Sequence, residues 1–126
     1  MNYLVDSSAW ISYLNGDISG EKLNKILKSK EEVFVIASII SEVTSFVVKN
    51  KGNSELAYET ISKNSKLIDI SLKYAKNAGI LHGKAKIEKK NLPLIDAIII
   101  SVAQEFNLTV LTKDNHFKSF KESIII

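Results

Sequence analysis

Residues 2–16 read NYLVDSSAWISYLNG, and the reading of this stretch decides the fold. Asn2 to Val5 is a short apolar run, which predicts a strand. Asp6-Ser7-Ser8 has the composition of a turn. Ala9 to Leu14 then predicts a helix, and Asn15-Gly16 terminates it. A strand that turns directly into a helix is the opening of a parallel α/β unit.

The alternation continues outward from there. Ser19 is placed to cap a helix through about Leu27, and Leu23, Ile26 and Leu27 share one of its faces. Val33 to Ile36 predicts a second strand, and Ser38 a cap for a helix to about Val48. Gly52 separates this from another helix, Ser54 to about Ser62. Leu67 to Ile70 predicts a third strand, and Ser71 caps a helix to about Lys90. Asn91-Leu92-Pro93 stops and restarts the chain, with Pro93 suited to the first position of a helix reaching about Phe106. Leu108 to Leu111 predicts a fourth strand, Asn115 to Phe120 a helical turn, and Ser123 to Ile126 a last strand. Residues 1–126 therefore predict a single three-layer α/β domain. Its centre is a mostly parallel sheet of about five short strands flanked by helices.

Composition agrees with that domain. The 126 residues are 45% hydrophobic and 25% charged, the balance of a globular protein able to bury a core without cross-links. Cysteine is absent, which removes disulfides and thiolate metal sites and suits a reducing compartment such as the cytoplasm. An acid as early as Asp6 leaves no room for the apolar region of a signal peptide. The longest apolar stretch, Leu94 to Ala103, falls short of the roughly 20 residues of a membrane span and contains Asp96, so no membrane partner is expected. A net charge of +3 permits a nucleic-acid partner without requiring one. The 17 basic residues are all lysine, so any phosphate contacts are point-charge contacts rather than bidentate forks.

In a parallel α/β sheet, ligands bind beyond the carboxyl ends of the strands, where strand order reverses. Four acids stand at that edge of the predicted fold. Asp6 follows the first strand, and Asp114 follows the fourth by three residues. Taken alone, each reads first as the cap of the next helical segment, a role that can coexist with binding a ligand. Glu42 stands one turn into the helix after the second strand, at the border of the stripe formed by Ile39, Val43, Phe46 and Val47, where it is either a ligand or a solvated flank residue. Asp96 is the most informative. Between Leu94 and Ala103 only Asp96 and Ser101 are polar, so its helix is expected to be largely buried. A lone carboxylate there loses several kcal/mol of hydration or takes up a proton, unless a cation or donor waits beside it. First-turn backbone N–H groups are one such donor. Four carboxylates drawn together repel one another, and an oxygen-only ligand set selects hard cations, Mg²⁺ or Mn²⁺.

At this point the sequence resembles a known family. The stretch Leu4-Val5-Asp6-Ser7-Ser8, then Ser38-Ile39-Ile40-Ser41-Glu42-Val43, then Leu92-Pro93-Leu94-Ile95-Asp96-Ala97-Ile98-Ile99, then Leu111-Thr112-Lys113-Asp114-Asn115-His116-Phe117 are similar, in order and spacing, to the motifs of PIN-domain ribonucleases. The likeness is strongest to VapC-like toxins of toxin–antitoxin pairs, and it covers essentially the whole chain. It implies a metal-dependent endoribonuclease that leaves 5′-phosphate and 3′-hydroxyl ends. Asp6, Glu42, Asp96 and Asp114 would be the catalytic, metal-binding quartet, with Mg²⁺ or Mn²⁺ as cofactor. Ser7 and Thr112 match positions that orient the carboxylates or waters. Some relatives carry an acid where His116 stands, so His116 is expected outside the metal's direct ligands, as a partly exposed turn residue. The resemblance also implies an RNA substrate, an antitoxin partner and a homodimer.

Lys84, Lys86, Lys89 and Lys90 crowd the approach to the Asp96 helix. They are either an RNA track or a solvated face balanced by Glu88. For the dimer, the apolar loads of Trp10, Ile11, Tyr13 and Leu14, and of Ile39, Ile40, Phe46, Val47 and Val48, suggest a self-complementary patch unless the Ser54 helix covers them. Two rival functions are a receiver-like phosphoacceptor module, with Asp69 as acceptor, and a PIN scaffold without catalysis. The first leaves Glu42 and Asp96 without a role, and the presence of all four acids speaks against the second.

Overall fold

The computed structural model describes residues 1–126. Strand β1 (Tyr3–Val5) leads through helices α1 (Ser7–Asn15) and α2 (Gly20–Leu27) to β2 (Val33–Val35). Helices α3 (Ala37–Lys49) and α4 (Ser54–Asn64) connect β2 to β3 (Lys66–Leu67), and α5 (Leu72–Ile87) and α6 (Leu94–Phe106) connect β3 to β4 (Thr109–Thr112). A 3₁₀ turn at Asn115–Phe117 precedes β5 (Ser123–Ile125). The five strands form one sheet in the order β3-β2-β1-β4-β5, and every pairing is parallel.

Right-handed crossovers explain the three layers. The chain steps from β1 to β2 to β3 in one direction, then returns past β1 to β4. The first two connections therefore lie on one face of the sheet and the third on the other. Consistently, α1 packs on α2 and α3, α3 on α4, and α5 on α6. The sheet centre is dry: Leu4, Val5, Val110 and Leu111 are fully buried, as strands covered on both faces must be. No helix is long and apolar enough to cross a membrane.

Helix α1 stops at Gly16, which takes the left-handed conformation (φ 67°) and returns its N–H to the carbonyls of Ser12 and Tyr13. Gly20 is required by proximity: a Cβ there would lie 2.4 Å from the Ser12 carbonyl oxygen. That close approach lets α2 cross directly beneath α1.

Several boundaries differ from the sequence reading. Helix α3 begins at Ala37, with Ile36 at the capping position, so Ser38 lies inside the first turn and its buried hydroxyl finds no partner. Ser19 precedes α2 without a side-chain cap, and the Asp17 carboxylate takes the Gly20 N–H instead, at 2.9 Å. The third strand is Lys66–Leu67 rather than Leu67 to Ile70. It is a sheet edge, exposed, and the chain leaves it once Ile68 has bonded the Val35 carbonyl and tucked into the core. Helix α5 ends at Ile87 rather than near Lys90, because Lys89 turns left-handed (φ 58°). Pro93 stands one residue before α6 rather than at its first position. Trp10 is wholly buried within its own chain, so it belongs to the core and not to an outer patch.

Candidate metal centre

Strand order reverses between β1 and β4, and their carboxyl ends lie side by side. Asp6 continues β1 by one rung, its N–H bonded to the Leu111 carbonyl at 2.9 Å. It occupies the capping position of α1, but its side chain caps nothing. The Oδ2 atom instead accepts from Thr112 Oγ1 at 2.7 Å and from Ser8 Oγ at 3.0 Å. Those hydroxyls are themselves tied down: Lys113 N–H donates to Ser8 Oγ and Asp114 N–H to Thr112 Oγ1, both at 2.9 Å. One carboxylate is thus locked by a bridge spanning the two central strands.

Asp114 follows β4 and does cap the 3₁₀ turn, accepting the His116 N–H at 2.8 Å. Asp96 stands in the first turn of α6, only 8% exposed. The His116 ring reaches both acids: Nδ1 lies 3.1 Å from Asp96 Oδ2 and 3.0 Å from Asp114 Oδ1. Its other nitrogen, Nε2, is 3.2 Å from Asn91 Nδ2. Ligating atoms of Asp96, Asp114 and His116 all lie within 4.8 Å of one another. Glu42, half-buried on α3, lies outside that group but close enough to feel the charges of Asp6 and Asp114.

The acids feel each other. Burial holds the Asp96 carboxyl up, at about 6, and the charges of Asp6 and Asp114 push the same way against the pull of His116. Asp6 is also raised, by burial first, although the Thr112 and Ser8 hydroxyls oppose the shift and Asp114 adds to it. Glu42 is raised by burial, then by Asp6 and Asp114, with the Ser7 hydroxyl acting in the other direction. No lysine pairs with any of the four; the lysine ion pairs involve Glu32, Glu105, Glu88 and Asp17. Four mutually repelling carboxylates with no lysine among them fit a hard divalent cation, by charge and by donor type.

Of the four acids expected from sequence, Asp96 and Asp114 meet around His116, and Asp6 and Glu42 lie within electrostatic reach of Asp114. Thr112 touches Asp6 directly, whereas Ser7 turns toward Glu42. Sequence reasoning passed over Ser8 as a side chain that holds Asp6, and Asn91 as a neighbour of His116. An Asp with hydroxyls one and two residues on is the local signal for Ser8, but its other partner lies 104 residues away. His116 is the partly exposed turn residue that was expected, and its ring also stands between two of the acids. Lys84 and Lys90 line a groove of about 360 Å³ that runs to His116, between Leu81, Leu92 and Phe120. Lys86 and Lys89 are exposed outside that groove, and Lys90 is bonded to Glu88 at 2.9 Å.

Comparison with known proteins follows the same outline. The family model of the PIN domain matches residues 3–123. No curated protein sequence matches the chain. Among solved structures, VapBC2 from Rickettsia felis, bound to a promoter DNA fragment, is similar with TM-score 0.79 at 20% identity, over 100% of this chain and 98% of that one. A toxin–antitoxin complex from Klebsiella pneumoniae gives 0.76 at 21% identity, over 97% and 95%. VapC20 from Mycobacterium tuberculosis, described as a toxin that cleaves the sarcin–ricin loop, gives 0.73 at 14% identity, over 94% and 95%. At such identities the solved structures speak for the fold, and the match over residues 3–123 speaks for descent: the chain belongs to the PIN-domain family.

Proposed function

We propose that this chain is a divalent-metal-dependent endoribonuclease, the toxin of a toxin–antitoxin pair. The observation that carries the reading is the convergence of Asp6, Glu42, Asp96 and Asp114 at the strand-order reversal with no lysine to neutralise them. Asp6, Asp96 and Asp114 would hold Mg²⁺ or Mn²⁺, with Glu42 beside them. When bound, the cation lowers the pKa of a water and screens charge on the phosphodiester. The chain's own contribution is rigidity. Thr112 and Ser8 fix the rotamer of Asp6, and Asp114 is fixed by the turn it caps. A carboxylate with a raised pKa, such as Glu42, is suited to take a proton from the attacking water. Hydrolysis then joins water oxygen to phosphorus and breaks the bond to the 3′ oxygen, which leaves with a proton as a 3′-hydroxyl opposite a 5′-phosphate.

Lys84 and Lys90, on the groove that reaches His116, are the lysines best placed to follow an RNA backbone. So few point charges give weak, salt-dependent binding. The exposed side chains of Phe46, Val48 and Leu56 on α3 and α4 support a two-fold homodimer through those helices. The toxin–antitoxin descriptions of the similar structures support an antitoxin partner. Asp69 follows the edge strand and is exposed, with none of the four acids beside β3, which removes support from a receiver-like reading. The test is cleavage of end-labelled single-stranded RNA with Mg²⁺ or Mn²⁺, stopped by a chelator, with chemical identification of both new ends. Cleavage that persists under chelation, or no cleavage of any RNA with either ion, would overturn the proposal.

A further inference from the structure

His116 has not been given a role, and its surroundings suggest one. Its ring sits edge-on between two acids of the centre, with Nδ1 at 3.0 Å from Asp114 Oδ1 and 3.1 Å from Asp96 Oδ2. Nε2 meets the Asn91 side-chain amide at 3.2 Å. Both nitrogens are therefore engaged, one by the carboxylates and one by a neutral group outside them. That division is the one found around metal-bound histidines, where one nitrogen faces the ion and the other is fixed by an amide, carbonyl or carboxylate.

The spacing agrees with a shared ion. Cis ligands around an octahedral ion with bonds of about 2.1 Å lie about 3 Å apart. Nδ1 stands at that separation from each of the two carboxylate oxygens, and the three atoms lie within 4.8 Å of one another. Without an ion, Nδ1–H donates to the carboxylates and Nε2 accepts from the Asn91 NH₂. With an ion, the ring would change tautomer by exchange with solvent, losing the proton at Nδ1 and gaining one at Nε2, so that the Nδ1 lone pair would be free. Nε2 then carries the ring proton, and a half-turn of the Asn91 amide presents its carbonyl oxygen to that proton. Asn91 can satisfy either tautomer, which a carboxylate or a lysine there could not.

We propose that His116 is a nitrogen ligand of the metal in this chain, oriented by Asn91, so that the site is a mixed nitrogen–oxygen centre. This rests on the metal-centre reading above. The consequence is selectivity. Mg²⁺ is hard, demands oxygen and keeps its waters, while imidazole suits transition ions. The centre should therefore favour Mn²⁺ over Mg²⁺ more strongly than the same centre with an acid at position 116.

The experiment uses the full chain with one equivalent of Mn²⁺ and pulsed electron paramagnetic resonance, which detects a directly bound nitrogen whether or not the protein cleaves anything. The chain has two histidines, and His82 lies in the middle of α5. A nitrogen coupling that changes with ¹⁵N-histidine labelling and vanishes in both His116→Asp and His116→Gln would establish the ligand. Circular dichroism confirms that each variant is folded. His116→Asp should also reduce the ratio of Mn²⁺ to Mg²⁺ affinity by about tenfold or more. Asn91→Ala should keep the coupling and lower Mn²⁺ affinity by about tenfold to a hundredfold. Mn²⁺ bound at the acids with no nitrogen coupling would overturn this proposal and leave the metal reading intact. Mn²⁺ binding equally to Asp6→Asn/Asp114→Asn would overturn both. A nitrogen coupling in a protein that cuts no RNA would support the ligand and overturn the ribonuclease.

Discussion

The two ends of the sheet handle negative charge in opposite ways. At the amino ends of β2 and β3, Glu32 meets Lys66 at 2.8 Å, and Glu31 lies 3.9 Å from the N-terminal ammonium, all in solvent. At the carboxyl ends of β1 and β4, Asp6 and Asp96 are buried, Glu42 and Asp114 partly so, and no lysine pairs with them; the one basic side chain among them is the His116 ring. The first cluster is neutral without help. The second is held together by covalent connection and by hydroxyls from Ser8 and Thr112, against its own repulsion. Such a cluster calls for something from outside to complete it, which is what the proposed cation would do.

The comparison breaks most severely at Asp96. Replacing it with Asn should lower RNA cleavage about a thousandfold, the effect of losing several kcal/mol of metal-assisted stabilisation. Initial rates on labelled RNA measure this, and a parental rate would remove Asp96 from the centre. Next comes the ion itself. Mg²⁺ or Mn²⁺ at about a thousand times its dissociation constant should stabilise the protein by about 4 kcal/mol, seen as a rise in Tm. Asp6→Asn/Asp114→Asn should show almost none of it, and an equal shift in both proteins would place the ions elsewhere.

The third effect is smaller and depends on pH. Asp96 is held at about 6 in the folded chain, above its ordinary value of 3.8. The folded state thus binds more protons than the unfolded one between those values, and metal-free stability falls as pH rises through that window. Asp96→Asn should match the parent near pH 4 and exceed it by about 2–3 kcal/mol at pH 7. Denaturant titration at the two pH values reads the gap, saturating Mg²⁺ should close it, and a gap independent of pH would contradict the account. Fourth, Thr112→Val should cost about 1–3 kcal/mol by leaving Asp6 and the Asp114 N–H without their shared hydroxyl. The amino end supplies the smallest effect: Lys66→Ala should cost less than about 1 kcal/mol, as exposed pairs do. A larger loss there would mean the two ends differ less than their geometry implies.

Asp6 and Asp114 were legible because each stands just after a strand, and Glu42 because it lies early in the helix that follows one; strand-to-helix switches are written in local composition. Asp96 was legible for another reason, a single charge in a run of isoleucines. What sequence could not show was adjacency. That β4 lies beside β1 depends on a crossover through α5 and α6, and only this pairing brings Thr112 to Asp6. Ser8 reads as an ordinary turn serine until Thr112 and Lys113 arrive beside it. Ser38 shows the converse. Its type favours a cap, yet α3 starts directly from β2 and carries the serine into the helix, where capping preference is outweighed by the path of the chain. The short third strand was misplaced because at an edge only one side needs a partner, so alternation is a weak guide there.

The hydroxyl bridge from Ser8 and Asp6 to Thr112 spans more than a hundred residues of sequence. During synthesis the amino-terminal portion emerges first, at about 5–20 residues per second. A nascent chain that has reached only Phe106 already displays Asp6, Glu42 and Asp96, but it lacks the strand that locks Asp6, the turn that bears Asp114, and the imidazole between the acids. The centre is assembled late, by an act of long-range closure. If the centre works as proposed above, products of interrupted translation that end before β4 should be inert, because Asp114 and the hydroxyl that locks Asp6 would both be missing.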